Sequence, residues 1–130
     1  MPKVNIAVSL HSVIREKRDK LIPINQRYPV EDVVKFAEAI PVGRTRFVTY
    51  EYLLIKNFND SLEDAHITGK FLEGKNAYIS LIPFNPFPGT EYQRPEMEEV
   101  EKFKSILDSY RIPTPIRKQR AMKYSQLAAS

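Results

Sequence analysis

Residues 46–55 read Arg46-Phe47-Val48-Thr49-Tyr50-Glu51-Tyr52-Leu53-Leu54-Ile55. Almost every member is β-branched, aromatic or aliphatic, the composition of a strong strand. A polar turn at 57–60 follows, and Ser61 with Asp64 forms a capping box that opens a helix to about Phe71. Gly74 lies just past that helix, where a left-handed residue ends it. Residues 77–84 are a second strand, after which Pro86, Pro88 and Gly89 force a loop. Strand, helix, strand at this spacing means two parallel strands joined by a right-handed crossover.

The same alternation extends in both directions. Residues 3–9 form a strand with Val4, Ile6, Val8 and Leu10 on one face and Asn5, Ala7, Ser9 and His11 on the other. Residues 12–21 form a charged helix that Pro23 ends. Residues 30–40 form a clearer helix, with Val33, Phe36, Ala37 and Ile40 at i, i+3, i+4, i+7 and Glu31 and Asp32 in its first turn. Beyond the loop, Pro95 begins a helix with Glu96, Glu98 and Glu99 in its first turn and Val100, Phe103, Leu107 and Tyr110 on its buried face. Residues 114–117 make a last short strand. The expected fold is α/β, with parallel strands and helices alternating to form half of an eight-stranded barrel or a small open sheet, and helices covering one face. Residues 1–117 form that domain, and 118–130 is a basic tail expected to be poorly ordered.

Composition narrows the chemistry. The 130 residues include no cysteine, which excludes disulfides, thiolate zinc sites, cysteine nucleophiles and an iron–sulfur cluster held by this chain's own thiolates. Two histidines, His11 and His66, are too few for a histidine-rich metal site. A net charge of +4 and a pI of about 9.3 fit an RNA partner. No apolar run reaches the roughly 20 residues that span a bilayer, and residues 1–10 lack a signal-peptide cleavage site. The expected location is cytoplasmic, with no membrane partner.

Ligands of parallel α/β sheets bind at the carboxyl ends of the strands. There, Ser9 and His11 either hydrogen-bond a ligand or cap the strand and helix ends. Glu51 either points into a polar interior or pairs with a cation such as Arg46. Asn85, in backbone restricted by Pro83 and by the Pro86 that follows it, either reads a ligand edge or closes an Asx-turn. His66 reads as a solvated helix position. No glycine-rich nucleotide loop is present, and no third member joins Ser9 and His11 in a triad.

Five ordered motifs carry a resemblance that spans residues 3–120: Ala7-Val8-Ser9-Leu10-His11; Leu21-Ile22-Pro23-Ile24-Asn25; Tyr50-Glu51-Tyr52-Leu53-Leu54; Asn59-Asp60-Ser61 with Asp64-Ala65; and Leu81-Ile82-Pro83-Phe84-Asn85-Pro86 with Pro88-Gly89, followed by Arg94-Pro95. In this order they resemble the bacterial radical S-adenosylmethionine (radical SAM) methyltransferases that methylate carbon 2 of an adenine in 23S rRNA and in tRNA. The resemblance implies the C-terminal half of a TIM-like radical SAM barrel, with Ser9, Leu10, His11 and Asn85 on the S-adenosylmethionine side. It implies an iron–sulfur (4Fe-4S) cluster in the family, and 23S rRNA and tRNA as partners.

The departures are equally specific. The family's cluster-binding C-x-x-x-C-x-x-C and its Gly-Glu-Pro motif lie upstream of the matching segment. Where the family has Ala-Cys-Gly-Gln-Leu, with a cysteine that carries the methyl group, this chain has Tyr124-Ser125-Gln126-Leu127. Neither a phenol nor a hydroxyl ionises appreciably at neutral pH, so neither replaces that thiolate. Two functions are therefore expected to compete. One is a fragment or divergent member of the methyltransferase, inactive alone. The other is a non-catalytic RNA-binding or assembly module that grips RNA phosphate with Arg117, Lys118, Arg120 and Lys123. A half-barrel also exposes a strand edge, so pairing with an N-terminal half or with a second copy is expected.

Overall fold

The computed structural model describes residues 4–21, 29–39 and 45–118. Seven elements follow in order: β1 (Val4–Ser9), α1 (Arg15–Leu21), α2 (Val30–Glu38), β2 (Thr45–Leu54), α3 (Leu62–Leu72), β3 (Ala77–Pro83) and α4 (Met97–Ser109). The three strands form one sheet in the order β1-β2-β3, and both pairings are parallel. The expected strands are thus present to within a residue at each end. Ser9 on β1 is level with Glu51 on β2, and Glu51 with Ser80 on β3.

The two-residue period of the strands separates two environments. On one face Leu10, Val48, Tyr50, Tyr52, Leu54, Ile79 and Leu81 are buried in one core with residues of α2, α3 and α4. On the other face Leu53, Ile55 and Phe84 join Leu21 of α1 in a smaller cluster at the carboxyl end of the sheet. Phe58, Ile82, Phe87 and Tyr92 pack against it, with Phe84 6.0 Å from both Phe87 and Tyr92 between ring centres. Below this aromatic cluster, the same face leaves Ser9, Thr49, Glu51 and Ser80 half-buried and Ala7 and Tyr78 exposed.

The capping box is present as read. The Ser61 hydroxyl accepts from the Asp64 backbone N–H at 3.0 Å, and the Asp64 carboxylate accepts from Ser61 N at 3.2 Å. Lys17 of α1 reaches the same carboxylate at 2.9 Å and ties α1 to α3. Gly74 is left-handed with φ +80°.

Three elements differ from the sequence reading. The first helix starts at Arg15 rather than Ser12, because the Ser12 hydroxyl accepts the Ile14 N–H at 3.0 Å in a local turn that competes with helix. In α2 the buried residues are Val30, Val34 and Ala37, while Phe36 is 75% exposed. The expected stripe was therefore rotated, and Ile40 lies outside the described residues. The last helix begins at Met97, with Glu96 as N-cap, two residues after Pro95.

The expected strand at 114–117 is reduced to a single parallel bridge, Leu81 to Ile116. Pro113 and Pro115 accept from Ile79 and Leu81 at 2.9 Å, and Arg117 donates to Leu81 at 2.8 Å. Each proline lacks the N–H that would complete the ladder. Among the described residues no helix is long and apolar enough to cross a membrane. Residues 119–130, including Arg120, Lys123, Tyr124 and Ser125, lie outside the described residues, as does the 22–25 motif.

Candidate ligand site at the carboxyl end of the sheet

β1 stops three residues short of the carboxyl end of β2. The last rung is shared: Leu10 and His11 both donate their backbone N–H groups to the Glu51 carbonyl, at 2.9 and 3.2 Å. Beyond it, the edge of β2 still presents the N–H and C=O of Leu53 and the N–H of Ile55 in a buried setting, where unpaired backbone groups are costly. Two side chains take the place of a strand. His11 Nδ1 accepts from Leu53 N at 2.9 Å. The Asn59 amide accepts from Ile55 N at 2.8 Å and donates to Leu53 O at 2.8 Å and His11 O at 2.7 Å.

This arrangement fixes the state of His11. Its backbone is left-handed, φ 56°, which histidine tolerates better than most residues. Burial above all, and then the nearby Arg18 guanidinium, lower its pKa from 6.5 to about 4. The ring is therefore neutral near pH 7. With Nδ1 used as an acceptor, the proton resides on Nε2. Nε2 has no partner among the described residues, so His11 offers one N–H donor to a ligand.

Arg18 is the neighbour of this candidate site that the sequence reading missed. It is only 4% exposed, and it donates from Nε to Leu10 O at 3.0 Å and from Nη2 to Ser9 O at 2.8 Å. The fork thus holds the Ser9-Leu10-His11 main chain from behind. Burial lowers the Arg18 pKa, opposed by the carboxylates of Asp19 and Glu31. A charged residue in a charged helix carries no signal of burial. Asn59 was legible only as part of a polar turn and an ordered motif. Tyr52 supports it by donating from its hydroxyl to Asn59 O at 2.7 Å.

The four residues expected near the cofactor are placed differently from one another. Ser9 is half-buried on the open face beside Glu51. Leu10 is fully buried in the helix-side core, so it reaches the site by main chain alone. His11 is buried against β2. Asn85 is exposed two residues past β3, on the far side of β2, and lines a separate cavity of about 240 Å³. Arg94, Arg117 and Lys118 line that cavity too, with Pro83, Met97 and Ile116. Asn85, expected on the cofactor side, and Arg117 and Lys118, expected at RNA, thus share one cavity. A larger cavity of about 500 Å³ is bordered by Lys17, Asp60, Asp64 and Glu96, residues of mixed charge. Glu51 lies on the open face, and His66, although exposed, hydrogen-bonds the Tyr110 hydroxyl at 2.8 Å.

Comparison with known proteins places this geometry. No family model matches the chain. It is 46% identical over 118 residues to the dual-specificity RNA methyltransferase RlmN of Brucella anthropi, and 45% identical over 118 residues to that of Rhizobium leguminosarum bv. trifolii. In both cases the match takes in 90% of this chain and 29% of the relative, so the chain spans less than a third of those proteins. Among solved structures, a radical SAM methyltransferase from Sphaerobacter thermophilus superposes with a TM-score of 0.85 at 36% identity, over 97% of this chain and 37% of that one. A domain of a pyruvate-formate lyase-activating enzyme from Bacteroides vulgatus shares the fold at TM-score 0.69 and 17% identity, over 87% of this chain and 66% of that one.

Proposed function

We propose, from the premise that this chain belongs over its 118 aligned residues to the RlmN type of radical SAM methyltransferase, that it forms the S-adenosylmethionine-facing C-terminal half of a barrel that methylates carbon 2 of adenine in 23S rRNA and tRNA. The observation that carries this reading is His11, a neutral, rigidly mounted imidazole with its Nε2–H available at the carboxyl end of a parallel sheet. Ser9 contributes a hydroxyl on the open face and Asn85 an amide beyond β3, while Leu10, its N–H given to Glu51 and its C=O to Arg18, sets the main chain that mounts His11. These are small uncharged hydrogen-bonding groups, and they fit the polar edges of S-adenosylmethionine, which when bound supplies the methyl group. Arg117, Lys118, Arg120 and Lys123 supply positive charge for RNA phosphate.

The donor set does not fit an iron–sulfur cluster. Cluster iron takes thiolates, and the chain has no cysteine. Among the described residues no three His, Asp or Glu side chains gather as an alternative. The thiolates of the family chemistry therefore come from outside these 130 residues. An N-terminal half-barrel that pairs along β1 and covers the open polar face would provide them, and a second copy of this chain would compete for the same edge. The working location is the cytoplasm, where RNA substrates are found.

By itself the chain is expected to hold no cluster and to bind S-adenosylmethionine weakly. A few hydrogen bonds worth about 0.5–1.5 kcal/mol each amount to a dissociation constant of about 1 mM or weaker. Calorimetry after anaerobic reconstitution with iron and sulfide tests this. Stable cluster absorbance, or micromolar cofactor binding by the chain alone, would overturn it. The companion experiment adds the cysteine-bearing remainder of the Brucella anthropi relative. Cofactor affinity is expected to rise by an order of magnitude or more in the mixture, and to fall again with His11→Ala. The zero cysteine count also supports a non-catalytic RNA-binding module. RNA binding with no gain in cofactor affinity in the mixture would favour that reading.

A further inference from the structure

The cavity beside Asn85 has walls of one charge sign. Among the described residues Arg94, Arg117 and Lys118 border it, no carboxylate does, and the remaining lining is Asn85 with Pro83, Met97 and Ile116. None of the three cations takes part in a salt bridge among the described residues. The acidic side chains at the start of α4 are engaged elsewhere: Glu96 is 3.7 Å from Lys56, and Glu98 and Glu99 are 3.4 and 3.8 Å from Lys102. Three like charges around one hollow repel one another, and a bound anion removes that cost.

The backbone beneath these cations is fixed. Arg117 is pinned to the edge of β3 through its N–H to Leu81 O at 2.8 Å. Arg94 precedes the buried Pro95, which restricts its conformation, and the adjacent Gln93 carbonyl accepts from Lys56 N at 2.9 Å. α4 begins at Met97, and its dipole acts in the same sense. At about 240 Å³ the hollow lies below the roughly 300 Å³ at which drug-sized sites begin, so it suits one small anionic group. Guanidinium groups match the oxygens of a phosphate in pairs.

We propose that this cavity is a phosphate site, in which Arg94, Arg117 and Lys118 grip one backbone phosphate of RNA next to Asn85. The RNA source rests on the function proposed above, whereas the oxyanion chemistry rests on the cavity alone. Arg94 enters here as a ligand-binding residue.

The test uses the full chain. Anisotropy of a labelled RNA hairpin is followed across a salt series, and the Arg117 and Lys118 amide resonances are followed during titration with inorganic phosphate. The pocket variant Arg94→Gln/Arg117→Gln is compared with Lys35→Gln/Lys70→Gln, which removes the same charge from exposed positions on α2 and α3. The pocket variant is expected to lose RNA affinity about tenfold or more, to flatten the salt dependence by about one phosphate's worth, and to lose the phosphate-induced shifts. The control pair is expected to change affinity by about twofold at most. Equal losses in the two variants would mean diffuse charge and would overturn the proposal, as would absence of both RNA and phosphate binding in the parent chain. Phosphate binding without RNA binding would overturn the RNA source and the RNA-substrate reading, and would leave a site for a free phosphate.

Discussion

His11 and Leu53 are joined across the end of the sheet, with Nδ1 of the imidazole accepting the Leu53 N–H at 2.9 Å. This bond requires an unprotonated ring, and it makes stability depend on pH. The folded-state pKa, about 4, lies below the ordinary value of 6.5, so the unfolded chain binds the extra proton first. The contribution is complete above about pH 6.5, falls as the pH drops, and is gone once the pH passes about 4. Its size is on the order of 3 kcal/mol. Urea melts at pH 7 and pH 4.5 should show the loss. His11→Asn keeps an acceptor near Nδ1, tolerates a left-handed backbone and cannot titrate. It should flatten the pH dependence, and an unchanged slope in that variant would place the titration elsewhere.

Asn59 holds three buried backbone groups with one amide. Asn59→Ala strands the Ile55 N–H and the Leu53 and His11 carbonyls, at a cost of about 3 kcal/mol or more. The urea midpoint should fall with the slope unchanged. A loss below about 1 kcal/mol would mean that water replaces the amide there.

Gly69 sits against the ring of Tyr110. A Cβ at Gly69 would lie 2.6 Å from Cε2 and 2.7 Å from Cγ of that ring, and closer still to Cδ2. Gly→Ala inside a helix ordinarily stabilises by up to about 1 kcal/mol. Here Gly69→Ala should destabilise by about 1–3 kcal/mol, through displacement of the ring and loss of its bond to His66. Combined with Tyr110→Ala, the same substitution should become neutral or favourable. Additive losses in the double variant would refute the steric account.

The Tyr50 hydroxyl is buried without a hydrogen-bond partner among the described residues. Burial, with Glu38 nearby, pushes its pKa up to about 12. Tyr50→Phe removes an unsatisfied group and keeps the ring. It should be neutral or stabilising by up to about 1 kcal/mol, measured by thermal denaturation. A clear destabilisation would reveal a partner in the segments next to β2.

The alternation that placed β1, β2 and β3 was legible because each strand has a face of uninterrupted branched and aromatic residues. The Ser61–Asp64 cap was legible because its chemistry is local. The stripe on α2 was not. Val30, Val34 and Ala37 share helical spacing with Val33, Phe36 and Ala37, and only the position of the sheet decides which row is buried. The site was half legible. Ser9, His11 and Asn85 stood out as polar residues at strand ends. Arg18 and Asn59 did not, since their importance comes from β1 ending before β2 does, a length mismatch set by tertiary pairing.

The two margins of the sheet are unequal. β3 is flanked by a segment carrying Pro113 and Pro115, whereas among the described residues β1 pairs with β2 alone. The prolines turn their N-less side toward β3, so the outward row there falls to Thr114 and Ile116 and is only two residues long. β1 offers six residues of strand and is the longer margin. Two copies joined along β1 spend that longer margin in each, and what remains on the other side of each copy is too short a row to carry the pairing far.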